Sequence, residues 1–339
     1  MSLTSNMSER PRERGRREPV ALWKEDDLLE GRKVKAMVVI LRTRGCSWSK
    51  HGGCTICGYN SESDAQLTDE DVLAQVESAK GRYAGEEMVK VYTSGSFLDT
   101  NEISTGAREA VSESFASAKR LLVESRPEYV DATTTEWMAS HRAQVAIGLE
   151  SANPEVLRKA VRKGFTPSDY ENAAIRLRDA SVPLRTYLLL KPPYLTERAA
   201  MLDTIASAAF AAPYSESVSI NPVNVQAHTM LEDLWRRGDY RPPWLWTLLE
   251  VLKASARPGV RVFSSPSGAG TRRGVHNCDI CDTKAIDALK AFSITQDVAD
   301  LEVPTCSCRK EWQAAVDLQD GMLSAADMRR HLDSIMEID

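Results

Sequence analysis

No apolar run in the sequence approaches the ~20 residues that a membrane span requires. The opening stretch, MSLTSNMSERPRERGRREP, holds no hydrophobic segment, so no secretory signal is expected and the expected location is the cytoplasm, with no membrane partner. Basic excess is missing too: 43 Lys and Arg face 48 Asp and Glu, for a net charge of −5. A protein that grips nucleic acid alone usually carries a basic face. The totals leave only a local patch, or a partner that does the gripping. There is no sharp internal repeat and no low-complexity stretch. The seven cysteines are an odd number without a signal peptide, which argues for reduced, metal-binding thiols rather than disulfides.

What is present is ordinary in bulk: 339 residues, 42% apolar and 27% charged. That suffices for one large α/β-barrel type domain with an appendage, or for two smaller domains. Residues 1–33 read as a disordered, Arg-rich tail, with Arg10, Arg12, Arg14, Arg16 and Arg17 set among glutamates. It is a solvated terminus or a nucleic-acid-touching arm.

Strand-like apolar runs then alternate with helical patterns. Strands are expected at 34–43, 88–94, 120–125, 144–151, 182–190, 216–223 and 259–265. Helices are expected after Thr68, whose spacing to Asp71 is that of a capping box, at 105–120, after Asn153-Pro154, after Thr166-Pro167, and around 196–210, 229–237 and 244–255. This alternation predicts parallel βα units. In βα barrels the chemistry sits where strands end. Here the strand ends are polar or glycine-rich: the loop with Cys46, Cys54 and Cys57, then Thr93-Ser94-Gly95-Ser96, Glu124-Ser125-Arg126, Glu150-Ser151, Lys191-Pro192-Pro193 and Asn221-Pro222-Val223-Asn224. They are expected to converge on one site.

The segment RTRGCSWSKHGGCTICGY (42–59) places three thiols on a Gly-rich loop, spaced Cys46-x7-Cys54-x2-Cys57. His51 is the one nearby candidate for a fourth ligand, and it reads equally as a solvent-facing loop residue. Structural zinc fills four positions. Three cysteines with an open position suit a [4Fe–4S] cluster with one iron left for another ligand. Zinc, or three small apolar side chains in a core, are the competing readings.

The triad, with Ile56 just before its third cysteine, resembles the radical S-adenosylmethionine (radical SAM) superfamily, although x7 departs from that family's commonest x3 spacing. TSGSFLD (93–99) resembles its Gly-rich strand-two motif; SRPEYVD (125–131) and IGLESAN (147–153) resemble the tRNA-acting branch related to the Elongator catalytic subunit. Together with KGF, LLLKPP, HNCDICD and TQD, the set is most similar to the radical SAM subunit of archaeosine synthase, the RaSEA family, over about residues 35–315. The resemblance implies an α/β fold: a partial (βα)6 TIM-like barrel of the radical SAM type with a small C-terminal metal-stapled appendage. It implies a core at 34–258 and a C-terminal region at 259–339. It implies that Cys46, Cys54 and Cys57 hold the cluster and that the open iron chelates S-adenosylmethionine. Ile56, Ser94, Gly95, Ser96, Arg126 and Glu150 would then contact the cofactor. For Glu150 the alternative is an ordinary salt bridge; for Arg126 it is a surface turn before Pro127; for Lys191 it is a solvated lysine.

The second cluster is Cys278-x2-Cys281-x24-Cys306-x-Cys308, two close pairs joined by a partly helical stretch. Such a set predicts a metal site, with structural Zn2+ as first choice and an auxiliary iron–sulfur cluster as the alternative. His276 is a possible substitute ligand or a locally bonded histidine. By resemblance the reaction is the last step of archaeosine formation. A partner subunit attaches lysine to preQ0 at position 15 of tRNA. This chain, with an external electron donor, acts as a lyase that cleaves a carbon–nitrogen bond of the adduct by way of a 5′-deoxyadenosyl radical. Arg272 and Arg273 are candidates for phosphate contact. The alternatives are a radical SAM enzyme for another modified tRNA base or a small molecule, and a non-catalytic zinc-binding tRNA-associated protein.

Overall fold

The computed structural model of the protein describes residues 15–322. Eight strands occur among the described residues: β1 Ala21–Leu29, β2 Arg32–Ile40, β3 Met88–Tyr92, β4 Arg120–Ser125, β5 Ala143–Glu150, β6 Leu184–Leu190, β7 Ser217–Pro222 and β8 Arg261–Phe263. The helices are α1 Asp69–Lys80, α2 Thr105–Ser114, α3 Ala132–Ser140, α4 Pro167–Asp179, α5 Glu197–Ala211, α6 Met230–Arg237, α7 Leu245–Ser255, α8 Asp282–Thr295 and α9 Cys308–Met322. From β2 to β7 every strand is followed by a helix, which is the expected α/β run of six βα units. Among the described residues no helix is long and apolar enough to cross a membrane.

The chain divides into two compact units. One holds the described parts of Met1–Gly52, Tyr59–Ile147 and Asn172–Leu184; the other holds those of Gly53–Gly58, Gly148–Glu171 and Arg185–Asp339. The expected boundary at 258/259 falls inside the second.

In the first unit, β2, β3 and β4 are buried runs of Val, Leu, Met and Ala, paired in parallel. Buried on both faces, such strands need no alternation of polar and apolar residues. Thr68 caps α1 as expected: its hydroxyl accepts from the Asp71 amide, and the Asp71 carboxylate accepts from the Thr68 amide at 3.1 Å.

Three elements depart from the sequence reading. Residues 21–29, placed in the tail, form β1, which runs antiparallel to β2 from Ala21 opposite Ile40 to Leu29 opposite Arg32. The strand is masked in the sequence by its acids, but Asp27 is 2% exposed because the buried Lys90 ammonium of β3 pairs with it and, at 2.6 Å, with Glu25. Helix α3, ATTTEWMAS, was not foreseen, since three threonines lower helix propensity. An Asp131–Thr134 capping box starts it. Residues Val156–Val161, read as ordinary helix, form a π-helix. Of the Arg-rich tail, residues 1–14 lie outside the described residues. Arg16 pairs with Asp64 at 2.7 Å, and Arg17 lies 3.7 Å from Asp71.

The second unit contains β6, β7 and β8 in parallel. One of its apolar clusters joins Val161, Leu189, Val223, Val225, Leu231, Leu234 and Tyr240, with Ile56 packed against it.

Candidate active site and metal centre

The triad divides between the units: Cys46 belongs to the first, Cys54 and Cys57 to the second. All three are partly buried.

In the first unit, Cys46 precedes the short 3-10 turn Ser47–His51, and its carbonyl accepts from the Ser49 amide at 3.1 Å and the Ser49 hydroxyl at 2.6 Å. The loop after β3 lies directly against it. A Cβ on Gly95 would stand 2.6 Å from both Cα and Cβ of Cys46, and 2.6 Å from Glu102 Oε2. Real side-chain carbons do not approach so closely, so glycine is required for this contact.

Glu102, which the sequence reading missed, organises the loop. Its carboxyl is 1% exposed and accepts from the Thr43 hydroxyl at 2.6 Å and from the amides of Gly95 and Ser96 at 3.0 and 2.6 Å. Burial raises its pKa; those three hydrogen bonds oppose the rise and the Asp99 charge adds to it. Nothing local in DTNEIS marks this glutamate, because its partners are backbone groups brought in by the fold. The Ser94 hydroxyl bonds to that of Ser63 at 2.9 Å. The Ser96 hydroxyl oxygen accepts from the Arg126 amide at 3.1 Å.

Arg126 is 6% exposed, so Pro127 does not place it on a surface turn. Its guanidinium pairs with Glu128 and lies 5.3 Å from the Trp48 ring centre. His51 Nδ1 lies 3.1 Å from the Ser47 carbonyl oxygen, a local bond.

In the second unit, Thr55 fixes the Cys54–Cys57 turn. It is 5% exposed; its hydroxyl donates to the Ala160 carbonyl, its amide to the Val161 carbonyl at 3.1 Å, and its own carbonyl accepts from the Leu231 amide at 3.2 Å. A π-turn shifts the helical bonding register, and here the last two carbonyls of the π-helix serve as acceptors for Thr55. The Cys57 amide donates to the Cys54 carbonyl at 3.3 Å, and the Gln226 side chain accepts from the Gly58 amide.

Glu150 pairs with Lys163 at 2.7 Å. The pair sits over Gly148, where a Cβ would collide with Glu150 Oε1. Glu150 has φ +67° and Lys191 has φ +63°, so two successive parallel strands end in charged residues of left-handed conformation. Such a backbone costs a side-chain-bearing residue about 1 kcal/mol. Lys191 is buried and paired with Glu197, and the Tyr240 hydroxyl donates to its carbonyl at 2.7 Å.

The second cysteine cluster is assembled as its spacing predicts. The sulfur atoms of Cys278, Cys281, Cys306 and Cys308 all lie within 4.8 Å of one another. Asp282 accepts from the amides of Asn277 and Cys278 at 2.9 and 3.0 Å, which shapes the first pair's turn. Trp246 Nε1 donates to Cys308 Sγ at 3.3 Å and Asn277 Nδ2 to Cys281 Sγ at 3.5 Å. The Cys308 amide helps bring Cys306 down to about 7, while burial pushes Cys281 and Cys308 up. Four sulfurs so close would suit a divalent cation, which takes cysteine as the thiolate. His276 instead bonds its Nδ1 to the Gly274 carbonyl at 2.8 Å.

Comparison with known proteins follows the same lines. The radical SAM superfamily matches residues 40–205. The chain is 41% identical over 315 residues to an archaeosine synthase subunit beta of Methanosarcina acetivorans, covering 89% of this chain and 91% of that protein. It is 36% identical over 310 residues to the protein of the same name from Thermococcus kodakarensis, covering 87% and 96%. Among solved structures, Elp3 of Methanocaldococcus infernus with an N-terminal deletion superposes with a TM-score of 0.51 at 16% identity, covering 76% of this chain and 63% of that one. The last likeness shows the fold alone.

Proposed function

Given that the chain belongs to the radical SAM superfamily and, within it, to the archaeosine synthase subunit beta family, we propose that it is the radical SAM subunit that completes archaeosine in tRNA. It acts in the cytoplasm on the lysine adduct of preQ0 at position 15, as a lyase that breaks a carbon–nitrogen bond and leaves the formamidine. The observation that carries this reading is the 41% identity over 89% of the chain, in a protein whose Gly95 backbone is pressed against Cys46. The lysine adduct comes from the partner subunit, and an external donor supplies electrons.

Cys46, Cys54 and Cys57 fit a three-thiolate donor set: each sits on a turn tied down by hydrogen bonds, and the nearby His51 is engaged locally. When bound, the [4Fe–4S] cluster and S-adenosylmethionine supply the 5′-deoxyadenosyl radical that removes a substrate hydrogen. The chain's own residues then have distinct tasks. Glu102 takes up the amides of Gly95 and Ser96, which leaves this stretch richer in acceptors than donors. That polarity suits an ammonium ligand such as the methionyl amino group. Ile56, packed on the apolar cluster, and Thr55 hold the Cys54–Cys57 turn. Glu150 is an acceptor with sites beyond the one that Lys163 occupies, and it is assigned to cofactor hydroxyl or amino groups. Arg126 pairs with Glu128 and donates its amide to Ser96; guanidinium donors beyond that pair are assigned to a cofactor carboxylate. Cys278, Cys281, Cys306 and Cys308 are assigned to a structural zinc, since four thiolates close its tetrahedron. Residues 34–258 are assigned to the catalytic core and 259–339 to the metal-stapled region.

The test is a nucleoside assay on adduct-bearing tRNA with the partner subunit, S-adenosylmethionine and a reductant. The expected result is archaeosine with the wild type, and neither archaeosine nor 5′-deoxyadenosine with Cys46→Ala. Cleavage of S-adenosylmethionine without archaeosine would move the protein to another substrate. Full activity of Cys46→Ala would remove the triad from the mechanism.

A further inference from the structure

The second unit contains a surface cavity of about 470 Å³ outside the cysteine sites, lined by Trp235, Arg236, Tyr240, Arg241, Arg272 and His276 among others. Its walls carry three guanidinium groups and no carboxylate. In a chain of net charge −5, that is a marked local reversal.

The arginines are arranged so that their charge is not cancelled. Arg236 and the neighbouring Arg273 share a single carboxylate, Glu232, at 3.1 and 2.5 Å. Arg273 also lies over the Trp235 ring, 4.8 Å from its centre. Arg241 is held flat by other means: its guanidinium lies 3.8 Å from the Trp244 ring centre and donates to the Pro242 and His276 carbonyls at 2.7 and 3.0 Å. Two carboxylates act on Arg241 at a distance, Glu197 and Asp282. The first is engaged with Lys191 and the second with the amides of Asn277 and Cys278. Arg272 is exposed. Three guanidiniums therefore line the cavity, and the one directly paired carboxylate, Glu232, is shared between Arg236 and Arg273 beside it.

Guanidinium forks match phosphate oxygens, and aromatic rings among them match an unstacked base. The volume lies in the range of ~300–1,000 Å³ usual for pockets that take a small organic group, and a single nucleotide is such a group. We propose that this cavity is an RNA-binding site that receives one splayed nucleotide and its phosphate from the tRNA substrate. The proposal rests on the tRNA-modification reading above. It assigns part of the RNA grip to this chain, where the charge totals alone leave that task to the partner.

The experiment compares full-length wild type with Arg272→Glu and with Arg236→Glu/Arg272→Glu, both changes being at exposed positions. Lys290→Glu, an exposed site on α8, controls for net charge. Binding of a tRNA transcript and of a short single-stranded RNA is followed by anisotropy across a salt series. The expected result is affinity at least ~10-fold weaker in Arg272→Glu, with the salt slope reduced by about 1, the double variant weaker still and Lys290→Glu near wild type. Equal losses in Lys290→Glu, unchanged affinity in the double variant, or no RNA binding by the wild type would each overturn it. Displacement of the tRNA by polyglutamate as readily as by single-stranded RNA would reassign the cavity to an acidic protein. Archaeosine formed with undiminished RNA affinity in the double variant would sink the cavity proposal alone. RNA binding through the cavity without archaeosine would sink the functional reading alone.

Discussion

The backbone of Gly95 touches the backbone of Cys46: a Cβ added to the glycine would lie 2.6 Å from the cysteine's Cα and Cβ. The loop after β3 and the first thiol of the triad are thus one packed piece, with Glu102 beneath both.

Gly95→Ala should separate them. The methyl group meets backbone rather than a yielding side-chain end, so Cys46 must shift. Displacements on the scale of 1 Å at a reacting centre cost about 10²-fold in rate. The expected outcome is a fall of that order in 5′-deoxyadenosine formation, with the thermal unfolding profile retained. Gly106→Ala on α2, where nothing lies within 4 Å of the added carbon, should be silent in the same assay. Equal activity in both variants would show that the close contact does not position the thiol.

A second expectation concerns pH. The Asp203 carboxyl is pushed up from 3.8 to about 6 by burial, against the pull of the Ser151 hydroxyl. That hydroxyl donates to Oδ1 at 2.9 Å, and Oδ2 is buried without a partner. The protonated form is favoured in the folded state. The stability this contributes is fully present below 3.8 and is lost as pH rises through about 6. Asp203→Asn should be more stable than wild type above that range, by at most ~3 kcal/mol, and should lose the advantage near pH 4. Denaturant titrations at several pH values decide it; a difference independent of pH would mean that Asp203 does not titrate with folding.

The four-cysteine centre yields a third. Treatment with a strong chelator should remove one zinc per chain and lower the melting temperature by about 5 °C or more, as expected when a metal has been stabilising only the folded state. Cys281→Ser should bind no zinc and melt at the lowered temperature with or without chelator. Metal analysis beside calorimetry checks this, and iron at that site in Cys46/Cys54/Cys57 alanine protein would replace zinc with an auxiliary cluster.

Much of this molecule was legible in its sequence, for physical reasons that differ by element. The runs at 36–41, 121–123 and 188–190 are apolar without alternation, and burial on both faces is what that pattern means. Thr68 and Asp71 marked the start of α1 by spacing alone, and two cysteine pairs announced a four-sulfur centre. Other features depend on partners far along the chain. β1 was hidden because Asp27 is a core residue only once Lys90 is beside it. The π-helix at Val156–Val161 was hidden because a one-residue change of hydrogen-bond register leaves no compositional trace. Glu102 was missed for the same kind of reason: its role comes from Thr43, Gly95 and Ser96, not from its neighbours. Glu150 and Lys191 were found at strand ends, but their ion pairs with Lys163 and Glu197 were not foreseen as specific partners.

The bond from Arg241 to the His276 carbonyl has a thermodynamic consequence. Two residues further on stands Cys278, so one short piece of main chain serves both as a wall of the arginine cavity and as part of the four-cysteine cluster. Whatever orders that segment from one side lowers the entropy still to be lost from the other. Linkage of this kind is reciprocal: were both proposed sites filled, the factor by which a ligand in the cavity changed the hold on an ion would equal the factor by which the ion changed the hold on that ligand.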